Sequence, residues 1–330
     1  MNTQQLVRNI GEILSPIRMY LDRVEEFLLK DVDVEIPLLS EVGQYILKSG
    51  GKRVRPALLL FAAGSVGKID DDTCLTASII EYIHTATLLH DDVVDNAELR
   101  RSKKSARTIW GNEASVLVGD YLFGASFKNL AKLGDIRLVK ILSDASTYMA
   151  RGEIKQLARD NSSTTEKEYL EIIFYKTASL MAAAMQMGAI LGGADQTQQD
   201  VLYQCGKEIG IAFQLVDDAL DYDIKNKELG KQQGTDLKER KMTLPLSHLL
   251  EKTSNVEKQE VMNILNGDKI TDEHVFFVSE LIEQYGSIEY TVQRAKAHIS
   301  KAKATLQILP QTEYRDGIEH LADFIAYRRN

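Results

Sequence analysis

Residues 57 to 244 contain no proline, because the five prolines are Pro16, Pro37, Pro56, Pro245 and Pro310. Proline breaks helix interiors and central strands alike, so composition must decide which element fills that stretch. Alternating Val/Ile/Thr runs are scarce in it, while Ala, Leu, Glu, Lys and Gln recur, and these are good helix formers. Helical spacing appears from Leu6 to Leu29 and again over 39–47, where Ser49-Gly50-Gly51 stops it. Apolar helices follow at Ala57–Val66 and Cys74–Asp92. Further helices are predicted over 113–133, 136–159, 166–192, 198–222, 243–252, 257–265, 272–285, 287–306 and 314–328. No composition shift or structureless linker divides the chain, and no heptad persists. The expectation is one all-α domain over residues 1–330, with its most apolar helices at the centre.

Charge and cysteine usage exclude several classes. Lys plus Arg is 40 against 48 Asp plus Glu, a formal charge of −8. That balance argues against coating nucleic acid, which needs clustered positive charge. No run approaches the roughly 18 apolar residues of a membrane span. The first residues lack the pattern of a signal peptide. With only Cys74 and Cys205, buried thiols are expected rather than a disulfide framework, and the cytoplasm is the expected compartment.

Chemistry concentrates where carboxylates interrupt apolar helices. Asp91-Asp92-Val93-Val94-Asp95 ends one, and Asp217-Asp218-Ala219-Leu220-Asp221 ends another. Helical spacing of i and i+4 stacks Asp91 with Asp95 and Asp217 with Asp221. Three clustered carboxylates repel one another and are costly to bury unpaired. One such cluster reads equally well as a solvated helix end; two identical clusters favour a bound cation. The alternating Asp positions, central Gly and terminal Glu of an EF-hand are missing, whereas magnesium shared with substrate phosphates fits. Lys52, Arg53 and Arg55 before the first cluster, and Arg100, Arg101, Lys103 and Lys104 after it, offer charge for diphosphate oxygens. No Gly-x-x-x-x-Gly-Lys-Ser/Thr phosphate loop occurs.

Taken in order, these residues resemble the trans-isoprenyl diphosphate synthases, most closely the homodimeric medium- and long-chain polyprenyl type. The resemblance runs through Gly50-Gly51-Lys52-Arg53-Val54-Arg55-Pro56, His84, both aspartate motifs, Arg100-Arg101, Gly111-Asn112 and Gly119-Asp120. It continues with Gly152-Glu153, Gln156, Lys176-Thr177, Phe213-Gln214, Gly230-Lys231, Gly234, Asp236 and Lys241. It implies antiparallel helices around a deep central cavity, with the two aspartate motifs facing across its mouth. It further implies that Asp91, Asp95 and Asp217 ligate a cluster of magnesium ions, for which manganese can substitute. Asp92, Asp218 and Asp221 would lie in or near that shell. Arg100, Lys176, Lys231 and Lys241 would hold an allylic diphosphate, and Lys52, Arg55, His84 and Arg101 isopentenyl diphosphate. Lys176, Thr177 and Gln214 would place oxygens near a developing carbocation.

The implied reaction is head-to-tail condensation with release of pyrophosphate. Its product would be medium or long (C30–C50, octaprenyl-like), for quinone side chains, and peripheral membrane contact would serve product release. A farnesyl- or geranylgeranyl-length synthase, a terpene cyclase or head-to-head synthase, and a non-catalytic partner subunit are the alternatives. The basic Gly-Gly-Lys-Arg segment speaks against a cyclase, since it suits a second diphosphate. All six aspartates speak against a non-catalytic subunit.

Product length points to the helix before Asp91. In the family, an aromatic residue five positions upstream of this motif often floors the passage; here that position is Ala86, beside Thr87. Ile79, Tyr82, Ile83 and, on another helix, Phe123 are expected lower down. His90 is expected to be a packed or orienting residue, a direct metal role for Gln156 is doubtful, and Asp120 and Glu153 serve structure as readily as chemistry.

Overall fold

The computed structural model describes residues 9–100, 103–158, 164–223 and 234–327. Its helices are α1 (Ile10–Ile13), α2 (Arg18–Lys30), α3 (Pro37–Lys48), α4 (Val54–Val66) and α5 (Asp71–Val94). A pair of two-residue antiparallel strands, β1 (Leu99–Arg100) and β2 (Lys103–Lys104), precedes α6 (Ala106–Leu133), α7 (Ile136–Leu157) and α8 (Glu166–Ile173). Then come α9 (Ser179–Gly192), α10 (Gln196–Asp221), α11 (Thr235–Lys238) and α12 (Leu244–Lys252). The last are α13 (Asn255–Asn266), α14 (Asp272–Gln284), α15 (Ser287–Thr305) and α16 (Glu313–Tyr327). Apart from that strand pair the fold is all-α, as the helix-forming composition of the proline-free stretch leads one to expect.

Local chemistry sets many of the boundaries. Reciprocal capping boxes open α5 (Asp70 with Thr73), α8 (Thr165 with Glu168) and α10 (Asp195 with Gln198). α4 and α9 are buried over almost their whole length, so neither shows a polar face. They meet through glycines. A Cβ at Gly188 would lie 2.2 Å from the Leu59 carbonyl oxygen, and one at Gly192 2.5 Å from that of Ala63. Around this pair, α5 packs against α2, α4, α6 and α9, and α10 against α9 and α15. A smaller apolar cluster, including Leu249, Val261, Val278 and Ile282, joins α12, α13 and α14 beside the end of α10. Cys74 and Cys205 are buried free thiols. Among the described residues no helix is long and apolar enough to cross a membrane.

Four details differ from the sequence reading. The helix read over Leu6–Leu29 is broken, within its described part, into α1 and α2 by a 3-10 turn at Ser15–Ile17 that holds Pro16. α6 starts at Ala106 rather than 113 and kinks at Gly111, whose φ of 88° suits glycine. The antiparallel pairing of β1 with β2 has no counterpart in the sequence reading. The helix predicted over 166–192 is interrupted by a single π-helical turn, Phe174–Ala178.

Candidate active site

The first aspartate motif occupies the last turn of α5, where the helix dipole already disfavours negative charge. Asp92 is fully buried, and its Oδ1 accepts from Arg100 Nε at 2.8 Å and from Arg100 Nη2. Its Oδ2 has no hydrogen-bond partner among the described residues. Burial pushes Asp91 up to about 6; Glu153 and Asp95 push the same way, while Lys176 and Arg100 offset part of it. Asp95 Oδ2 accepts from Lys241 Nζ at 3.1 Å, and Lys241 also pairs with Glu239 at 2.5 Å. Burial alone would lower Lys241, but Glu239, Asp236 and Asp95 hold it above the usual lysine range.

The second motif ends α10. Asp218 is buried with both carboxylate oxygens engaged: Tyr169 donates to Oδ2 at 2.5 Å and Gln214 Nε2 to Oδ1 at 2.8 Å. Burial pushes Asp218 up to about 7 against those two hydrogen bonds. Asp221 accepts backbone amides from Thr235 at 3.3 Å and Asp236 at 2.8 Å. Gly234 makes that wrap possible: its φ is 73°, and a Cβ there would meet Val275 at 2.1 Å. Asp236 is half-buried, and desolvation of its carboxyl, then Asp221 and Asp218, raise it well above the usual range. Asp217 is half-buried. Lys241 Nζ pairs with Asp95 of the first motif, and its backbone amide donates at 2.8 Å to the carbonyl of Asp236, whose own amide holds Asp221 at 2.8 Å, so Lys241 ties the two motifs together.

Between the motifs lies the π-helical turn. π-turns widen a helix by one residue and recur at functional sites. This one presents Lys176 and Thr177, and Lys176 Nζ contacts Glu153 at 2.6 Å and Gln156 Oε1 at 3.0 Å. Thr177 donates to Gln214 Oε1 at 2.7 Å. Two glycines seat the turn. A Cβ at Gly152 would lie 2.8 Å from Lys176 Cγ, and one at Gly210 2.4 Å from Ala178 Cα.

The basic segment before α4 divides. Arg53, grouped with Lys52 and Arg55 as a diphosphate contact, is instead structural. Its guanidinium is committed to Glu25 at 2.6 Å, to buried Glu81 at 2.7 Å and to the Leu47 carbonyl at 2.9 Å. Its backbone, at φ 46°, turns the chain into α4. Lys52 Nζ lies 4.9 Å from the centre of the Phe324 ring on α16. Arg55 and His84 are half-buried. Arg101 and Lys231 lie outside the described residues.

Of the residues expected to govern product length, Ile79, Tyr82, Ile83 and Ala86 are fully buried on α5 and Thr87 is half-buried. Tyr82 donates to the Leu28 carbonyl at 2.7 Å, which ties its ring to α2. Phe123 on α6 is partly buried, its ring centre 6.2 Å from that of Phe127. His90 is a packed histidine: its Nε2 lies 3.2 Å from the Val116 carbonyl and 3.4 Å from Asp120, and Gly119 fits against its ring.

The donor set fits a cation. Hard carboxylate oxygens, one of them orphaned on Asp92, gather where burial has raised several acids, and added positive charge would relieve that. Among the described residues no three acidic, His or Cys side chains converge into a ready-made cage. The arrangement suits a metal whose shell is completed by substrate oxygens.

An all-α fold with two aspartate motifs brought together by Lys241 and a π-turn carrying Lys176 and Thr177 defines an isoprenoid-synthase type of site. Residues 36–282 match the family model described as Polyprenyl synthetase, and the chain belongs to that family. It is 37% identical over 330 residues to an octaprenyl diphosphate synthase of Haemophilus influenzae, covering 99% of each chain. A polyprenyl synthase from Caulobacter crescentus, solved with calcium and isoprenyl diphosphate, superimposes with a TM-score of 0.93 at 36% identity and 98% coverage of both chains. A decaprenyl diphosphate synthase from Rhodobacter capsulatus gives a TM-score of 0.92 at 37% identity, covering 98% of this chain and 100% of that one.

The sequence reading found both aspartate motifs but missed Tyr169 and the anchoring role of Glu153. Tyr169 sits among ordinary helix-face residues of α8, and nothing in its spacing marks it. Glu153 was visible in Gly152-Glu153, where the small residue signals a close approach.

Proposed function

We propose that this chain is a trans-polyprenyl diphosphate synthase, a prenyltransferase condensing isopentenyl diphosphate head-to-tail onto an allylic diphosphate to give medium- or long-chain products. The observation that carries the reading is Lys241, ion-paired with Asp95 of the first motif and joined through Asp236 to Asp221 of the second, beside the Lys176–Thr177 turn. Lys176, Lys241 and Arg100 bind the allylic diphosphate and stabilise charge as it departs. Lys52, Arg55 and His84 hold isopentenyl diphosphate. Thr177 and Gln214 face the developing allyl cation, which the isopentenyl double bond attacks. The new cation then loses a proton to the released pyrophosphate. Apolar side chains along α5 exclude water that would quench the cation. Asp91, Asp95 and Asp217, with Asp92, Asp218 and Asp221 behind them, would hold magnesium, which when bound would supply Lewis-acid charge to the leaving diphosphate.

The chain works as one domain, in the cytoplasm, as a homodimer. Support for the homodimer is the α6 face carrying Ile109, Val116 and Leu117, the last 65% exposed, a surface a second copy would cover.

Purified protein given isopentenyl diphosphate, a short allylic diphosphate and magnesium should release pyrophosphate and yield a ladder of longer prenyl diphosphates by mass. Pyrophosphate release without consumption of isopentenyl diphosphate would indicate a cyclase instead.

A further inference from the structure

Tyr169 is 3% exposed on α8, yet its hydroxyl takes part in a chain of hydrogen bonds that ends beside the proposed reacting atoms. It donates to Asp218 Oδ2 at 2.5 Å; Gln214 Nε2 donates to Asp218 Oδ1 at 2.8 Å; Thr177 Oγ1 donates to Gln214 Oε1 at 2.7 Å. Each link constrains the next. An amide nitrogen only donates, so Asp218 fixes which end of the Gln214 amide faces it. The amide oxygen must then face Thr177, and a carbonyl oxygen only accepts. The single Thr177 proton is therefore consumed, leaving only lone pairs on its oxygen for whatever lies in the mouth.

We infer that Tyr169 is a positioning residue that, through Asp218 and Gln214, fixes Thr177 with its oxygen lone pairs turned toward developing positive charge. The opposite setting would aim a hydroxyl proton at that charge and oppose it. Tyr169 supplies the second of the two donors that pin the Asp218 carboxylate. Without it, the carboxylate is free to rotate off Gln214, and the amide loses the contact that sets its direction. Chains of this kind couple distant groups more strongly than isolated pairs do. The inference rests on the synthase reading above, in which Thr177 faces the allyl cation.

The test is a double-mutant cycle of Tyr169→Phe and Thr177→Val, with turnover, both Michaelis constants, magnesium dependence and thermal melting measured for each protein. Tyr169→Phe should lower kcat at least about tenfold while leaving both Michaelis constants and the magnesium requirement within about twofold. The double variant should be no slower than Thr177→Val alone, because the effect of Tyr169 passes through Thr177. Additive losses, an unchanged kcat in Tyr169→Phe, or a loss expressed as a raised magnesium requirement would each overturn the relay while leaving the synthase reading standing. A wild-type protein that consumes no isopentenyl diphosphate would overturn the synthase reading and the relay with it. Should Tyr169→Phe not fold, Tyr169→Met removes the same hydroxyl donor from the same buried position without touching the aspartates, and the same cycle against Thr177→Val decides.

Discussion

At the scale of single residues, Asp91 carries a charge that its surroundings only partly neutralise. Burial, Glu153 and Asp95 all disfavour its ionised form, and Lys176 and Arg100 compensate incompletely. Removing Asp91 therefore relieves electrostatic strain on the fold while deleting a proposed ligand, and removing Asp217 deletes another. Asp91→Ala and Asp217→Ala should retain wild-type helicity by circular dichroism and lose at least about a hundredfold in pyrophosphate release, as expected for lost transition-state contacts. Near-normal rates in magnesium would remove the motif from the chemistry. Arg53 makes the opposite case. It stands in a basic segment that reads as phosphate-binding, but Glu25 and Glu81, each 28 positions away, claim its guanidinium. Sequence spacing carries no trace of such a contact. Arg53→Met would leave Glu81 buried without its partner, a loss that typically costs about 3–5 kcal/mol. Denaturant unfolding should show that destabilisation, and a midpoint equal to wild type would refute the structural role.

At the scale of elements, the helices were legible because their periodicity and capping residues are local signals. The aspartate motifs were legible for the same reason, each falling within one turn. The π-turn was not. One extra residue in a helical turn leaves the apolar spacing of 166–192 almost unchanged, and its cause lies on other helices, in the small residues Gly152 and Gly210. Gly152→Ala should push the turn, since the new methyl would sit 2.8 Å from Lys176 Cγ and Tyr175 Cβ. Glu153, one position along α7, would then no longer meet Lys176 in the same geometry. The expected result is a loss of about ten- to a hundredfold in kcat with melting changed little, and wild-type turnover would show that the turn tolerates displacement. On α5, Ala86 lies five residues before Asp91 and is fully buried, with Ile79 two turns further back. The twelve residues from Ile79 to Asp91 span about 18 Å of helix, and a chain pinned at the aspartates would grow along it. Ala86→Tyr should shorten the product while preserving the first condensation. An active, folded variant with an unchanged product distribution would refute this route.

At the scale of the whole molecule, the mouth depends on how α10 is held, since α10 carries Gln214 and all three aspartates of the second motif. Its inner face rests on α9; its outer face is covered by α15. That outer contact includes an ionisable pair, His298 on α15 with Nδ1 2.5 Å from Glu208 Oε2 on α10. Neither partner stands out in sequence, because they are 90 positions apart and each looks like an ordinary residue of an amphipathic helix. Burial alone would raise Glu208, but the hydrogen bond and charge of His298, followed by Lys301 and Lys207, hold it below its ordinary 4.5. A carboxylate whose folded-state value is depressed contributes stability that is fully present above its unfolded value and fades as pH falls through the folded one. The contribution from Glu208 is thus complete above pH 4.5 and lost progressively below it. Thermal melting of the wild type followed from pH 6 to about pH 3 should fall along that limb. Glu208→Gln removes the titrating group, so its melting temperature should start lower at pH 6, by a difference of about 1 kcal/mol in stability, and decline less steeply. Parallel pH profiles for the two proteins would show that this pair does not couple α15 to α10 in the folded state.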